Sequence, residues 1–326
     1  MRNTVYLRAD GGPEIGWGHV NRMCALAAML PESLELVAVC GETGANVFRQ
    51  NLPEGVRIQV LEAETCGRCS EEWKDETAEQ AILVLDGYHF DYAYQQEAKK
   101  LGFALVLVDD FARGPFSADV IINHAPNSRS RYTQEGITYC CGKAFALLRP
   151  DFYQTPPTAA KRNGEVLITL GGADPGDLSL QLLQQLVPAH PELRWTVVCT
   201  NNFSEAHRNG LQQFVQQHPQ VALVYNATQQ HMHQLMLQSS KAITAASTVV
   251  LEAWASGLYP AALCYTENQR ILFEGVCSEG MAFPLEWKQL AQDFEHYLNQ
   301  KPEPQHRESW NPPLAIRNTF QHLTTA

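Results

Sequence analysis

No stretch of this chain approaches the apolar length needed to cross a bilayer, and its 24 Lys and Arg residues never gather into a basic run or tail. The first absence argues against a helical membrane protein, which needs about 20 consecutive apolar residues. The second, beside 35 Asp and Glu and a net charge of −11, argues against a nucleic-acid partner, because neutralising phosphates requires a basic face. The opening MRNTVYLRAD enters a strand-like run without the charged-then-apolar layout of a secretory signal, so a cytoplasmic location is expected. Short tandem repeats are missing, and so is a second metal-ligand pair. Cys66-Gly67-Arg68-Cys69 is a lone CxxC with no matching CxxC or HxxxH nearby, whereas closed structural zinc sites take four ligands. It reads as a solvated loop. Nine cysteines, an odd number, read as reduced thiols. No metal and no cofactor is expected.

What is present is an ordinary globular composition, 45% apolar and 18% charged, in 326 residues, enough for two α/β domains. Short β-branched apolar runs recur at 4–10, 34–40, 56–61, 81–86, 103–109 and 118–123, with helical stretches such as 91–101 between them. Runs that are apolar throughout, instead of alternating, predict strands covered on both faces and therefore parallel sheets. The pattern breaks at RPDFYQTPPTAAKRNG (149–164), a linker by its prolines, and restarts at 165–171, 194–200, 221–225, 241–245 and 259–265. The fold expected is α/β, two doubly wound Rossmann-like domains facing a cleft: 1–149 and 150–326, with the last helix able to pack back on the first. Ligands in such sheets lie beyond the carboxyl ends of the strands.

Four strand-end segments carry chemistry-bearing residues. The first is Arg8, Asp10, then Gly16-Trp17-Gly18-His19 and Arg22. Glycines at a strand-to-helix turn let backbone N–H groups approach an anion, and the imidazole there titrates near neutrality. His19 is a base or merely a helix-start residue meeting water. The second is Asp86-Gly87-Tyr88-His89-Phe90-Asp91, where an acid orients sugar hydroxyls or Asp91 caps the next helix. Asp109-Asp110 read mainly as turn and cap. The third is Gly171-Gly172-Ala173-Asp174-Pro175, a ligand loop or a structural turn with Pro in the helix's first turn. The fourth is Ser247-Thr248 with Glu252, a diphosphate seat whose carboxylate reaches ribose hydroxyls, or an ordinary capped helix. Asn268-Gln269 open a further helix and can bind sugar substituents or phosphate. His207, His218, His231 and His233 lie in polar, Gln-rich stretches and read as solvated.

Together these pieces resemble the UDP-2,4-diacetamido-2,4,6-trideoxy-β-L-altropyranose hydrolases of pseudaminic acid biosynthesis (the PseG family), relatives of the nucleotide-sugar glycosyltransferases with the GT-B fold. The resemblance runs from Tyr6 to about Val276 and rests on LRADGGPEIGWGHVNR, LDGYHFD, LVDDFA, LLRPDF, ITLGGADP, ITAASTVVLEAWASGL and CYTENQ, in the family's order. It implies that His19 is the catalytic base acting on water and Tyr88 a sugar-pocket residue. It also implies that Ser247, Thr248 and Glu252 hold diphosphate and ribose, and that Asn268 and Gln269 match an Asn-Gln pair. The first domain would then carry the catalytic His and sugar pocket, the second the UDP site. The family usually places His before the tyrosine; here Gly87 precedes Tyr88 and His89 follows it.

The expected reaction is hydrolysis of a UDP-sugar at its anomeric C–O bond with inversion, releasing UDP and free sugar, by a monomer. His19 would deprotonate water, oriented by Asp10, while Arg8 and Arg22 hold the sugar or balance charge. Gly16, Gly18, Asp91, Gly172 and Asp174 complete the candidate binding residues. A glycosyltransferase and a non-catalytic nucleotide-sugar binder are the rival readings.

Overall fold

The computed structural model describes residues 3–12, 15–63, 66–74, 81–153, 162–172, 174–300 and 310–325. The chain divides into two compact units, Met1–Pro150 with Trp310–Ala326, and Asp151–Ser309.

In the first unit the strands are β1 (Thr4–Ala9), β2 (Glu35–Gly41), β3 (Arg57–Leu61), β4 (Ala81–Asp86), β5 (Ala104–Val108), β6 (Val120–Asn123) and β7 (Thr138–Cys141). Helices α1 (Gly18–Met29), α2 (Glu42–Asn51), α3 (Cys69–Glu72) and α4 (Tyr92–Leu101) connect them. The described strands form one parallel sheet in the order β3-β2-β1-β4-β5-β6-β7. β4 is buried at all six positions, which is why its sequence shows no alternation.

The second unit repeats the plan with β8 (Glu165–Thr169), α5 (Leu178–Leu186), β9 (Arg194–Cys199), α6 (Glu205–Gln217), β10 (Val221–Tyr225), α7 (Gln229–Gln238) and β11 (Lys241–Ala245). It continues through α8 (Thr248–Ala255), β12 (Ala261–Leu263), α9 (Arg270–Ser278), β13 (Phe283–Leu285) and α10 (Leu290–Asn299). Its described strands, also parallel, run β10-β9-β8-β11-β12-β13. The expected fold class is therefore observed: two doubly wound α/β sheets.

The last helix, α11 (Pro312–Thr325), belongs to the first unit although it follows the second in sequence. Arg317 Nε donates to the carbonyl of Met29 at the end of α1 (2.8 Å), and Trp310 Nε1 donates to the carbonyl of Lys143 (2.8 Å). Pro150–Tyr153, at the start of the linker segment, form a 3₁₀ turn, and 154–161 lie outside the described residues.

Each sheet reverses its strand order once, between β1 and β4 and between β8 and β11. Loops leaving those neighbouring strands go to opposite faces, which opens a crevice at the carboxyl ends. The first candidate segment follows β1 and the second follows β4. The third and fourth follow β8 and β11.

Candidate active site

Pleating decides which of these strand-end groups meet. In the parallel register Ala9 lies beside Asp86, so Asp86 shares a face with Ala9 while Arg8 and Asp10 point to the opposite one. Asp86 also lies beside Val108, which places Asp110, two residues on, over the same face as Asp86. Two clusters result.

On the Asp86 face stands His19, the second residue of α1, with Arg22 one turn further along the same side of the helix. His19 Nδ1 is 2.6 Å from Asp86 Oδ1. Arg22 grips the same carboxylate through Nε (2.9 Å) and Nη2 (2.7 Å), and reaches Asp110 through Nη1 (2.6 Å) and Nη2 (3.0 Å). Tyr88, half exposed, donates its hydroxyl to Asp110 Oδ2 (2.9 Å). Its ring meets the His19 imidazole edge to face at 4.7 Å and rests against Phe111. An ionised carboxylate only accepts, so Nδ1 of His19 is the protonated nitrogen, and in the neutral ring Nε2 is the one that carries the lone pair. Arg22 Nη2, 3.0 Å from Nδ1, is a second donor to Asp86, not a partner of the imidazole.

Burial makes these charges depend on one another. The Arg22 guanidinium stays firmly charged between two carboxylates, although burial opposes it, and it holds the Asp110 carboxyl far below the usual carboxylate range. His124, just past β6, is pushed down to about 4, by burial first and by Arg22 second. A histidine neutral in the fold but with an ordinary pKa near 6.5 when unfolded stabilises above that value. That contribution is lost as pH falls toward 4. His124→Gln is therefore expected to flatten the fall in Tm between pH 6.5 and 4 relative to the parent chain. A thermal melt series across that range checks it. Removing Arg22 would leave Asp86 and Asp110 buried without their cation. Arg22→Leu should cost about 3–5 kcal/mol, and roughly 10 °C in Tm. An unchanged melt would show that the carboxylates find other compensation.

The opposite face corrects several expectations. Asp10 does not orient His19. Its Oδ1 accepts from Gly41 N (2.7 Å), and its Oδ2 pairs with Arg8 Nη1 (2.7 Å) and His89 Nε2 (3.2 Å). These partners hold its carboxyl well below the usual range although burial opposes them. Of the two roles expected for Arg8, holding sugar or balancing charge, its contacts within the chain are those of the second. It is fully buried, bonded to Glu72 through Nε (3.1 Å) and Nη2 (3.0 Å), and lies 5.0 Å above the centre of the Phe90 ring. Tyr94 donates to Glu72 and accepts from Trp73 Nε1 (2.9 Å), which extends the network into the core. The CxxC is not a solvated loop. Cys69 is buried in the core with Trp73, and the Cys66 thiol, 3.2 Å from Arg8 Nη2, is pushed up by its partial burial. Among the described residues no group of three or more His, Cys, Asp or Glu is placed to hold a metal ion. Asp91 takes its capping role, accepting from Tyr94 N at the start of α4.

Gly16 adopts φ +79° and pairs with Gly12 across a tight loop, a conformation only glycine takes without strain; Gly18 opens α1. Asp109 acts as a turn residue, accepting from Phe111 N and Ala112 N, and it also accepts from the Tyr132 hydroxyl (2.6 Å).

In the second unit Gly171 and Gly172 follow β8 as expected, but Pro175 does not begin the helix, which starts at Leu178. Asp174 reaches forward to accept from Leu178 N (3.0 Å) and Ser179 N (2.9 Å), so the start of α5 is already filled by a carboxylate of the chain itself. Burial pushes that carboxyl up. His207 is buried, not solvated: its ring stacks on Phe203, with Nε2 3.2 Å from Ser179 Oγ and Nδ1 3.1 Å from Asp177 Oδ1. The start of α8 differs. Ser247 is its N-cap in extended conformation and makes no side-chain cap bond, Thr248 is its first residue, and Glu252 is buried one turn later. Gln269 is used internally, its Oε1 accepting from Tyr265 N (3.0 Å), in a 3₁₀ turn with Asn268 that precedes α9. Tyr265 in turn donates to the carbonyl of Leu170 beside the Gly171 turn (2.8 Å).

His124 is a site group that sequence reasoning left without a role, while Asp86, read as orienting sugar hydroxyls, and Asp110, read as turn or cap, prove to be the partners of His19 and Arg22. The signal that finds them is register: each lies at or just beyond the carboxyl end of neighbouring strands, on one face.

No family model matches the chain. It is 26% identical over 291 residues, 87% of its own length and 99% of the relative's, to the UDP-2,4-diacetamido-2,4,6-trideoxy-β-L-altropyranose hydrolase of Campylobacter jejuni, and so resembles that protein along nearly its whole length. Among solved structures it is similar to Staphylococcus aureus MnaA bound to UDP, with a TM-score of 0.68 and 12% identity over 99% of this chain and 96% of that one. It is also similar to the UDP-GlcNAc 2-epimerase of Neisseria meningitidis bound to UDP-GlcNAc, with a TM-score of 0.66 and 10% identity over 99% and 100%. Likeness at that identity shows the fold, two Rossmann-like units of the GT-B kind.

Proposed function

We propose that this protein is an enzyme acting on UDP-sugars, and that it hydrolyses a UDP-activated diacetamido-trideoxy sugar at the anomeric C–O bond for nonulosonic acid synthesis. The observation that carries the reading is the His19–Asp86 pair, which leaves Nε2 as a base. Resemblance to a hydrolase of such a sugar supports the substrate class.

In this reading Nε2 takes a proton from water as its oxygen bonds to the anomeric carbon. The bond from that carbon to the diphosphate oxygen breaks on the opposite side, and its electron pair leaves with UDP. The configuration inverts, as with a base and water on the far face of an oxocarbenium-like centre. Asp86 stabilises the imidazolium that forms, and Arg22 keeps the two buried carboxylates from repelling each other. The departing diphosphate needs charge stabilisation more than a proton. The proposal assigns this to the backbone N–H groups at the start of α8, where Ser247 makes no side-chain cap bond, and assigns ribose to Glu252. The start of α5 is not available for it, because Asp174 occupies it.

The test is incubation of the purified chain with UDP-sugars and no acceptor. Prompt release of UDP is expected. UDP release only when an acceptor alcohol is added would make the protein a transferase. A sugar altered while still joined to UDP, or tight UDP binding without turnover, would contradict the reading.

A further inference from the structure

The loop after β4 straddles the strand-order reversal and sends two neighbouring rings to opposite sides of it. Tyr88 leans toward β5, over His19, and His89 toward β1 and β2, against Asp10. The mechanism above leaves His89 unused. Its side chain is 40% exposed, yet three features fix it. Its Nε2 is held by Asp10, itself anchored by Arg8 and Gly41 N. Its ring lies on Phe90 with centres 3.9 Å apart. And the chain leaves room for it: a Cβ at Gly87 would come within 2.9 Å of His89 Cε1 and 3.1 Å of Nδ1. Buried ion pairs such as Arg8 with Glu72 and Asp10 are costly to form and add little stability, whereas they do fix geometry. An exposed side chain held from behind in this way is arranged as a binding residue is.

We propose that His89 is a specificity-determining residue that contacts the glycosyl part of the substrate, its Nδ1 accepting the N–H of an acetamido substituent. The proposal rests on the UDP-sugar reading above. Because Asp10 only accepts, Nε2 carries the proton, and Nδ1 of the neutral ring is the acceptor.

The test is calorimetric binding of UDP and of UDP-N-acetylglucosamine to the full chain in a His19→Ala background, which prevents turnover during the titration. Replacing His89 by alanine should weaken UDP-N-acetylglucosamine by about 3- to 10-fold, the worth of one neutral hydrogen bond, and leave UDP unchanged. Gly87→Ala, which displaces the ring while keeping the imidazole, should shift the same ratio in the same direction. An unchanged ratio in His89→Ala, or equal weakening of both ligands, overturns the proposal. If the parent chain hydrolyses no UDP-sugar but the ratio still depends on His89, the hydrolase reading fails and the contact stands. If hydrolysis occurs and the ratio ignores His89, the contact alone fails. Absence of binding to either ligand ends both.

Discussion

Replacing His19 by alanine is expected to lower UDP release by about two orders of magnitude or more, while UDP itself binds as tightly as before. Positioned base catalysis contributes about 10²–10⁴-fold, and the nucleotide contacts are assigned to the second unit. Among the described residues the His19 side chain bonds to Asp86 and rests against Tyr88, so its loss should leave the fold largely intact; Arg22 still balances that carboxylate. Steady-state turnover paired with calorimetric UDP binding checks the expectation. Unchanged turnover would remove His19 from the chemistry.

Asp86→Asn should be nearly as damaging for a different reason. An amide in place of the carboxylate can turn its NH₂ toward Nδ1, which moves the imidazole proton to Nε2. The base is then blocked although the geometry is kept. In the serine-protease triad the same exchange costs about 10⁴-fold, and a loss of about 10²–10⁴-fold is expected here. Asp10→Asn makes the contrast. Asp10 faces the other side of the sheet, so its substitution should leave the protonation of His19 untouched. The pH profile of turnover separates the two, because only Asp86→Asn removes the limb belonging to the base. Equal effects from both carboxylates would contradict the assignment of faces.

Most strands were legible because burial on both faces requires near-continuous apolar runs, as in AILVLD and FALVLVD. β7 and β13 were not. They are edge strands of four and three residues, too short for a pattern, and Pro284 within β13 reads as a breaker although an edge strand tolerates it. His19 and Arg22 were legible from their place after a glycine turn. Their partner was not, since two strand-end acids, Asp10 and Asp86, look equivalent until the pairing of β1 with β4 shows which one shares a face with α1. The same holds for Arg8, which looks like a substrate ligand in a linear reading. It becomes structural once Glu72, 64 positions away, is seen to meet it. His207 was misread because a histidine in a polar helix gives no hint that Ser179, from the neighbouring helix, will cover it. Local pattern reveals which elements form; long-range register decides which side chains meet, and one sequence carries little trace of that.

The most direct test of the account is to run the reaction in H₂¹⁸O and weigh both products. Attack by water at the anomeric carbon predicts one ¹⁸O in the released sugar and none in UDP. Label in the UDP phosphate would place the attack at phosphorus and contradict the chemistry assigned to His19 and Asp86.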